Sequence, residues 1–391
     1  MPTTRWVALI IEAHSAHGRG VLSGIGEYAR AQGPWVFFWD LGQPWSVLDR
    51  MAEANCAGVI AAVHTQAQAD ALAKLDLPVI NVQDTLAEVP FPLVYYDHLA
   101  IGRLAGEHLK DRGLERFAYV GCETYSYSEG RRDAFVQTVS PDAPGAVPAF
   151  SLLIGDDIYD AFKQLMAWMD ELPKPIGIAA CSDEHARYAY EAARWLNLHV
   201  PDDVAIIGVD DDPLVIRMTD PELSSVKLPS HGVGFHAAKW LDQMMAGKPL
   251  ARKVARLEPI GVAPRRSTDV MVTEDADVSA AIRYIRANAH RPIQVADVLN
   301  AVPMSRRTLE RRFRHYLSRS PQQEIQRVHI DRARSLLAET DLSMPEIARN
   351  SGFGNADRLA VVFGRDVGMT PSAYRQRFRR RASKGLRFRG G

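Results

Sequence analysis

The first 270 residues alternate short apolar runs with longer stretches of helical periodicity, and this alternation most restricts the possible folds. The runs RWVALIIEA, WVFFWD, AGVIAAV, LPVINV, RFAYVG, PIGIAAC and DVAIIGVD are rich in β-branched and aromatic residues and are bounded by turn residues. Between them lie segments such as VLSGIGEYARAQG and AIGRLAGEHLKDRG, in which apolar residues recur about every 3.6 positions. Repeated strand–helix units predict an α/β fold with parallel sheets.

The residues that follow these runs are the candidate ligand contacts, because parallel sheets bind ligands at the carboxyl ends of their strands. After the first run, Gly18, Gly20 and Gly24 precede a second run that ends at Asp40, which resembles a dinucleotide-binding fingerprint. The spacing argues against such a site, since Gly18 lies well beyond the strand and Gly24 comes too late. No P-loop, nucleophile elbow or metalloprotease motif occurs either, so the sequence predicts neither an enzyme nor a cofactor.

The two parts of the chain carry opposite charge, although the formal net charge of the whole is zero. Residues 271–391 contain 23 Lys and Arg against 12 Asp and Glu, whereas residues 1–270 contain 24 against 35. In the basic part Arg outnumbers Lys by 22 to 1, which favours planar contacts with phosphate or guanine. This module predicts a polyanionic partner such as nucleic acid, with a merely solvated basic surface as the alternative.

The cysteines and the N-terminus indicate a reducing cytoplasm. Cys56, Cys122 and Cys181 are an odd number at wide spacing, so neither a disulfide framework nor a metal site is predicted. The apolar run 6–11 is too short to span a membrane and no cleavage pattern follows it. We therefore interpret this run as the first strand and expect no association with membranes.

Four motifs follow one another in the first part of the chain. They are YYDHLAIGRLAGEHLKDRGLERFAYVG, YSEGRRDAF, AACSDEHARYAYEAARWLNLHVPDDVAIIGVDDDP and PELSSVKL. In this order they resemble the effector-binding core of LacI-type regulators, over about residues 5–265. The resemblance implies a periplasmic-binding-protein fold, in which two lobes close on a small ligand, commonly a sugar.

The resemblance also implies four effector contacts, since Asp97, Arg131, Asp183 and Asp210 take the family's ligand positions. Carboxylates accept hydrogen bonds from neighbouring hydroxyls and a guanidinium donates to hydroxyl and ring oxygens, so the set suits a polyol. Each residue has a structural alternative. Asp97 would cap the following helix, Arg131 would lie on a helix surface, and Asp210 would stabilise a turn.

Two further pairs are candidates by position. Glu12 and His17 follow the first strand and are predicted as additional effector contacts. Tyr125 and Tyr127 would either stack on the apolar face of a sugar or pack within the protein.

The chain departs from the family pattern at two positions. Leu228 stands where many sugar-responsive members have glutamine, and Ser182 stands where asparagine is usual. These differences weaken any inference that the effector is the same sugar.

A change of pattern near residue 265 predicts a sensor domain over 1–266 and a linker over 267–276. Helical segments follow, and a tight turn joins QVADVLNAV to SRRTLERRFRHYL, as a helix-turn-helix requires. In the second of these helices Leu309, Phe313 and Leu317 form one apolar stripe while the arginines project elsewhere. The unit recurs in SMPEIARNSGFGNADRLAVVFGRDVG, which indicates an internal duplication.

These all-α segments resemble the AraC-type DNA-binding domain over 277–382, with TLERRF, RARSLLAET and VGMTPSAYR in family order. The resemblance implies a double helix-turn-helix that places two recognition helices in successive major grooves, about 10 bp apart. Joined to the sensor, it is similar to regulators of xylose operons. By that analogy the chain is a homodimeric activator that contacts RNA polymerase and responds to xylose or a related pentose. The basic tail 383–391 is expected to be disordered.

The first recognition helix supplies base contacts and phosphate contacts by position. An arginine there would bind guanine through two hydrogen bonds, and a glutamate would accept from cytosine. The base-facing residues are Arg307, Glu310 and Arg311, the phosphate contacts are Arg306, Arg312 and Arg314, and the capping residue is Ser305.

The second recognition helix offers fewer hydrogen-bonding groups to the bases. Its base-facing positions are Ala356, Asp357, Ala360 and Val361. We expect it to read thymine methyl groups or DNA shape. Asn355 and Arg358 are predicted to contact the DNA backbone.

Two other classes of protein remain open. A secreted solute-binding protein would share the sensor fold but would leave the basic helical module without a role. A dinucleotide-dependent oxidoreductase would need the glycine cluster to hold its cofactor.

Overall fold

The computed structural model describes residues 5–33, 35–40, 42–51, 55–86, 88–155, 157–270, 275–317 and 319–378. The chain separates into two compact units, Met1–Val270 and Met271–Gly391. None of the helices in these ranges is long and apolar enough to cross a membrane. The predicted tail 383–391 lies outside the described residues.

The first unit alternates strands with helices, as the apolar periodicity predicts. Its strands are β1 (Arg5–Ile10), β2 (Trp35–Trp39), β3 (Gly58–Ala61), β4 (Val79–Asn81), β5 (Leu93–Tyr96), β6 (Phe117–Gly121), β7 (Ala149–Ser151), β8 (Ile176–Ala180), β9 (Val204–Val209), β10 (Ser224–Lys227), β11 (Val254–Leu257) and β12 (Gly261–Ala263). Its helices are α1 (Ala16–Gln32), α2 (Leu48–Met51), α3 (Gln66–Ala73), α4 (His98–Lys110), α5 (Ser126–Val139), α6 (Ile158–Glu171), α7 (Asp183–Trp195), α8 (Pro213–Met218) and α9 (Ser230–Met245).

Two six-stranded sheets form the centres of two lobes. The first-lobe sheet has the strand order β11-β5-β4-β3-β1-β2 and the second-lobe sheet has the order β12-β10-β9-β8-β6-β7. All recorded strand pairs are parallel except β10 with β12. The chain passes between the sheets after β5, after β10 and after β11. This two-lobed α/β architecture confirms the predicted periplasmic-binding-protein-like fold.

The central strands are buried on both faces. Every residue of β3, β6, β8 and β9 is buried. Because helices cover both faces of a parallel sheet, such strands have no side that faces solvent and consist of continuous apolar runs. Runs such as DVAIIGVD are therefore recognisable in the sequence.

The glycine cluster at α1 has a packing role. A Cβ atom on Gly24 would lie 2.0 Å from the carbonyl oxygen of His231 in α9, and one on Gly234 would lie 1.9 Å from that of Val21 in α1. A Cβ atom on Gly18 would lie 1.7 Å from the carbonyl oxygen of Glu12. Since only glycine permits these close backbone approaches, the cluster is no evidence for a dinucleotide site.

The second unit is helical, as predicted. Its helices are α10 (Ala276–Ala287), α11 (Val295–Ala301), α12 (Arg306–Leu317), α13 (Pro321–Glu339), α14 (Met344–Asn350), α15 (Ala356–Val367) and α16 (Pro371–Phe378). Two helix-turn-helix pairs, α11 with α12 and α14 with α15, each have their own apolar core, and α13 contributes to both cores. The predicted stripe of Leu309, Phe313 and Leu317 is buried in the first core.

The first unit extends beyond the predicted domain boundary at residue 266. Ser267 and Thr268 belong to a short 3-10 helix and are fully buried. Ser267 Oγ donates to the carbonyl oxygen of Ile206 at 2.6 Å and accepts from the backbone nitrogen of Ser224 at 2.8 Å. These bonds attach the beginning of the predicted linker to the second-lobe sheet. The first helix of the second unit begins at Ala276, close to the predicted 277.

Candidate functional site

A cavity of about 480 Å³ lies between the two lobes of the first unit. Residues that follow the strands of both sheets line it, as expected for the carboxyl ends of parallel strands. The polar and aromatic lining residues used below are Glu12, His17, His64, Asp84, Tyr96, His98, Tyr125, Tyr127, Arg131, Ser182, Asp183, Asp210 and Asp212.

Glu12 and two histidines contribute to the first-lobe wall. Glu12 follows β1, and its Oε2 atom lies 3.5 Å from His64 Nε2, which follows β3, and 3.9 Å from His14 Nε2. A hydrogen bond from His64 lowers the pKa of Glu12 below its usual value, against an opposing effect of burial. Glu12 therefore presents an ionised carboxylate, which can only accept hydrogen bonds, at the cavity wall.

His17 belongs to a chain of hydrogen bonds in the same wall. Its Nδ1 atom lies 2.6 Å from Tyr96 Oη, and Tyr96 donates to Ser230 Oγ at 2.7 Å. Burial, with a further contribution from Arg131, lowers the pKa of His17 to about 4. The imidazole is therefore neutral at neutral pH.

Two carboxyl groups form the centre of the second-lobe wall. Asp183 opens α7 and accepts hydrogen bonds from the backbone nitrogen of Asp212 at 2.7 Å and from Ser225 Oγ at 2.6 Å. Burial and the neighbouring Asp210 raise the pKa of Asp183 well above its usual value. Burial also raises the pKa of Asp210 to about 7, although Arg131 opposes this shift. The pair shares one low-dielectric site, so ionisation of both groups is unfavourable.

Arg131 lies between the carboxyl groups and the aromatic residues. It is 5% exposed and donates to the carbonyl oxygen of Cys181 and, from Nε, to His98 Nδ1 at 3.3 Å. Its guanidinium carbon lies 4.8 Å from the centre of the Tyr127 ring, which stacks on Tyr125 at 5.3 Å. The alternative of a surface arginine is wrong, because Arg131 is buried at the cavity.

The structure brings five of the six sequence-predicted effector contacts to the cavity, namely Glu12, His17, Arg131, Asp183 and Asp210. Asp97 is the exception. Its carboxylate caps α4 by accepting from the backbone nitrogen of Ala100 at 2.9 Å, which was its structural alternative.

Sequence reasoning missed several polar lining residues of the cavity, among them His64, Asp84 and His98. His64 follows β3, Asp84 follows β4 and His98 follows β5, so the rule that selected Glu12 also applies to them. Among the two departures from the family pattern, Ser182 lines the cavity and its Oγ caps α7, whereas Leu228 is buried in the apolar core.

One ion pair crosses the cleft. Arg19 of α1, in the first lobe, donates to both carboxylate oxygens of Asp212 in the second lobe at 2.9 Å. Ser126 Oγ of the second lobe donates to the carbonyl oxygen of Asp84 of the first lobe at 2.9 Å. These contacts connect the two walls beside the ligand cavity.

In the second unit, α12 presents most of its arginines to solvent. Arg307, Arg311 and Arg314 are exposed, and Arg306 pairs with Glu310 at 3.2 Å. Ser305 Oγ accepts from the backbone nitrogen of Thr308 at 3.2 Å, so it caps the helix as predicted.

Arg312 differs from the other arginines of α12. Its Nη1 atom lies 2.9 Å from Asp275 Oδ2 and 3.3 Å from Asp277 Oδ2, at the start of α10. The prediction that Arg312 contacts phosphate does not match this placement, because its guanidinium is held by two carboxylates of its own unit.

The second recognition helix, α15, has a different surface. Asn355 Oδ1 accepts from the backbone nitrogen of Arg358 at 2.8 Å and caps the helix. Val361 is 71% exposed, and Asp357 and Arg358 are also exposed. Val361 therefore adds an apolar group to the solvent-facing surface of α15, where the corresponding surface of α12 carries arginines.

A two-lobed ligand-binding unit followed by a double helix-turn-helix defines a ligand-responsive, DNA-binding transcription regulator. Residues 107–268 match the periplasmic binding protein-like domain family and residues 298–377 match a helix-turn-helix domain family. The chain belongs to the family of xylose operon regulatory proteins, which are sugar-responsive transcription regulators with an AraC-type DNA-binding domain.

Full-length similarity establishes this membership. The chain is 32% identical to the xylose operon regulatory protein of Escherichia coli (strain K12) over 380 residues, which cover 94% of this chain and 96% of that protein. It is 29% identical to the protein of the same name from Haemophilus influenzae over 384 residues, with coverage of 94% and 97%. The solved structure of the xylose-binding transcription activator xylR matches 97% of this chain and 99% of its own, with a TM-score of 0.83 and 29% identity.

Proposed function

We propose that the chain activates transcription of a pentose-utilisation operon and that its effector is D-xylose, bound between the lobes of the first unit. The observation that carries this proposal is the cavity of about 480 Å³ lined by Glu12, Arg131, Asp183 and Asp210, in a chain similar to xylose regulators over nearly its whole length. The carboxylates supply acceptors for adjacent hydroxyls, and the stacked tyrosines supply an apolar surface for the sugar ring.

The charge of the cavity favours a neutral sugar. Glu12 retains its negative charge because its pKa is lowered, and Asp84 adds a second carboxylate to the wall. The guanidinium of Arg131 is already bonded to Cys181 and His98. A sugar acid or a sugar phosphate would place its anion among carboxylates, so we expect both to bind much more weakly than the neutral sugar.

Sugar binding changes DNA binding by favouring one arrangement of the two lobes. Exposed arginines of α12 bind the operator by base and phosphate contacts, and α15 reads a second groove mainly through apolar contact and shape. The protein acts as a cytoplasmic homodimer that recruits RNA polymerase, and it works without catalysis, cofactor or metal.

Calorimetric titration of the full chain with D-xylose, L-arabinose, D-ribose, D-glucose and D-xylonate tests the effector. We expect the tightest binding for D-xylose and none for D-xylonate. D210N should weaken sugar binding by about 10-fold or more, because an amide replaces one carboxyl group of the buried pair and a strong hydrogen bond to a sugar hydroxyl is lost. D97N is the matched control, because asparagine also caps helices. The D97N variant should bind the sugar with the affinity of the wild type. A tighter fit to another pentose would replace xylose as the effector, and equal losses in D97N and D210N would contradict the assigned site.

A gel-shift assay at two salt concentrations, with and without the sugar, tests the regulator. Specific binding should depend on the sugar and should retain sequence preference at the higher salt concentration. A protein whose affinity for DNA is unaffected by a sugar that it binds would contradict the proposed regulation.

A further inference from the structure

At two histidines of the cavity, the neighbouring protein groups determine which ring nitrogen carries the proton and donates, and which nitrogen accepts. His98 Nδ1 receives a hydrogen bond from Arg131 Nε at 3.3 Å. A guanidinium only donates, so His98 Nδ1 is the acceptor and the ring proton is on Nε2. The side chain of His98 is 10% exposed, and burial lowers its pKa to about 4, so the ring is neutral. His98 therefore offers one N–H donor at Nε2.

His17 has the opposite arrangement. Tyr96 donates its single hydroxyl proton to Ser230 Oγ, so the short contact between Tyr96 Oη and His17 Nδ1 needs the proton of His17. Its ring proton is on Nδ1, and Nε2 is left as an acceptor. The tautomers of the two residues are set by different neighbours, and they differ.

Both Nε2 atoms are buried at the cavity and, among the described residues, neither makes a hydrogen bond of good geometry, although Asp84 lies near His98 Nε2 and opposes the lowering of its pKa. A buried polar atom without a partner is unfavourable by roughly 1–3 kcal/mol, so such atoms generally indicate a ligand or an ordered water. Asp84 Oδ2 lies 3.4 Å from His98 Nε2. A hydroxyl group accepts from His98 and donates to Asp84 at the same time, which an ether or carbonyl oxygen does not.

We propose that His98 and His17 are specificity-determining residues that contact two different hydroxyls of the effector with opposite polarity. His98 donates from Nε2 to a hydroxyl that also donates to Asp84, and His17 accepts at Nε2 from another hydroxyl. This inference rests on the proposed sugar effector and adds which cavity atoms distinguish one neutral sugar from another. Inversion of the ring carbon that carries either hydroxyl moves that hydroxyl away from its histidine Nε2. The cavity therefore discriminates against epimers at these two carbon positions.

Calorimetry on the full chain with D-xylose and its 2-, 3- and 4-deoxy analogues tests the proposal. H17F and H98F should each weaken D-xylose binding by about 3- to 15-fold, as expected for loss of one hydrogen bond in a buried site. In H17F one deoxy analogue should bind as well as D-xylose does, and in H98F a different analogue should do so. H98Q and H17Q should recover part of the affinity, because glutamine places polar atoms near the Nε2 position.

His108 provides the matched control. It is a buried histidine outside the cavity, bonded through Nε2 to Thr268 Oγ1 at 2.7 Å. H108F should lower the melting temperature without changing sugar affinity, which separates loss of a buried imidazole from loss of a ligand contact. Circular dichroism of each variant establishes that it is folded.

Nitrogen-15 spectra of the histidine side chains test the tautomers without any sugar. We expect His98 as the Nε2–H form and His17 as the Nδ1–H form. The reverse assignment overturns the proposal, as do H17F and H98F variants with unchanged affinity for a sugar that the wild type binds. A wild type that binds none of the neutral sugars contradicts the proposed function itself, and the spectra then show whether the polarity assignment was also wrong.

Discussion

At the scale of single residues, Asp210 is a buried carboxyl group whose ionisation affects the stability of the folded first unit. Burial raises its pKa to about 7, from an unfolded value near 4. Between these two values the folded state holds a proton that the unfolded state has lost. Stability is therefore present at low pH and is lost as the pH rises toward 7, after which the loss levels off.

D210N should remove this dependence. We expect the free energy of unfolding of D210N, relative to that of the wild type, to increase between about pH 4 and pH 7 by on the order of 3 kcal/mol. Three buried histidines change the stability of the protein in the opposite direction. Their pKa values are lowered, so the folded state becomes less stable as the pH falls; they are His17, His98 and His185. Both proteins contain these histidines, so their effect cancels in the difference. Urea unfolding at several pH values measures the difference in free energy of unfolding between D210N and the wild type. A difference that does not change with pH would contradict the raised pKa of Asp210.

The sequence predicts those site residues that follow a strand, because the end of a strand determines which edge of the sheet the next residues occupy. Glu12 was predicted because it follows the first apolar run, whereas Asp183 was predicted from the family resemblance. The reasoning that selected Glu12 extends to His64, Asp84 and His98. Which of two adjacent residues faces the ligand was not predictable. Asp97 caps α4 and His98 lines the cavity because the helix begins between them, and a shift of one residue turns the side chain by about 100°.

At the scale of secondary-structure elements, the crossing of α1 and α9 requires glycine at particular positions. G24A should destabilise the first unit by about 3 kcal/mol, because its Cβ would lie 2.0 Å from a backbone oxygen of α9 and the helices would have to separate. G26A is the control on the same helix. Its Cβ would meet only the Arg30 side chain, at 3.8 Å, so alanine should stabilise by about 0.5–1 kcal/mol. Thermal unfolding of G24A and G26A tests whether the helix crossing requires glycine. Similar melting temperatures for the two variants would contradict that requirement.

The two recognition helices should contribute unequally to base recognition. Single-base substitutions in the half-site read by α12 should cost about 1–3 kcal/mol each, because Arg307 and Arg311 are exposed and an arginine can bind guanine through two hydrogen bonds. Substitutions in the half-site read by α15 should cost less than about 1 kcal/mol, with the largest loss at a thymine that contacts Val361. Competition binding with an operator selected from random sequence measures both sets. Equal losses in the two half-sites would contradict the assignment.

The strands differ in how well the sequence predicts them. Seven apolar runs correspond to β1–β4, β6, β8 and β9, most of which are central strands with little exposed surface. Five strands were not predicted as apolar runs: β5 and β10 lie inside their sheets, and β7, β11 and β12 lie at sheet edges. β7 and β11 are partly exposed, and their sequences contain no continuous apolar run, unlike the edge strand β2. Their pairing is set by the tertiary fold and has no local signal.

At the scale of the whole molecule, the opposite charges of the two units separate their roles. The excess of Asp and Glu in residues 1–270 repels a polyanion, and the excess of Arg in residues 271–391 attracts it. Both carboxylates of the pair Asp275 and Asp277 face Arg312, which leaves a smaller set of arginines on α12 for DNA. The charge pattern predicted a polyanionic partner for this module, and the family resemblance identified that partner as DNA. The number of arginines left for phosphate contacts depends on ion pairs within the unit.

The sugar response of the molecule depends on how the two lobes are held together, and Arg19 with Asp212 is the ion pair that joins them across the cleft. The Asp212 side chain is 10% exposed and that of Arg19 is 41% exposed, so the pair is only partly screened by solvent and contributes about 1 kcal/mol to the observed arrangement of the two lobes. D212N keeps a residue that caps α8 but loses the charge. We expect D212N and R19Q each to weaken sugar binding by about 3- to 10-fold, and the double variant to be no weaker than the single ones.

K163Q, which breaks the exposed pair with Asp160 within α6, is the control and should bind the sugar as the wild type does. Calorimetry measures affinity and small-angle scattering measures closure; additive losses in the double variant would show that the two residues act separately, and the cleft would then close without this pair.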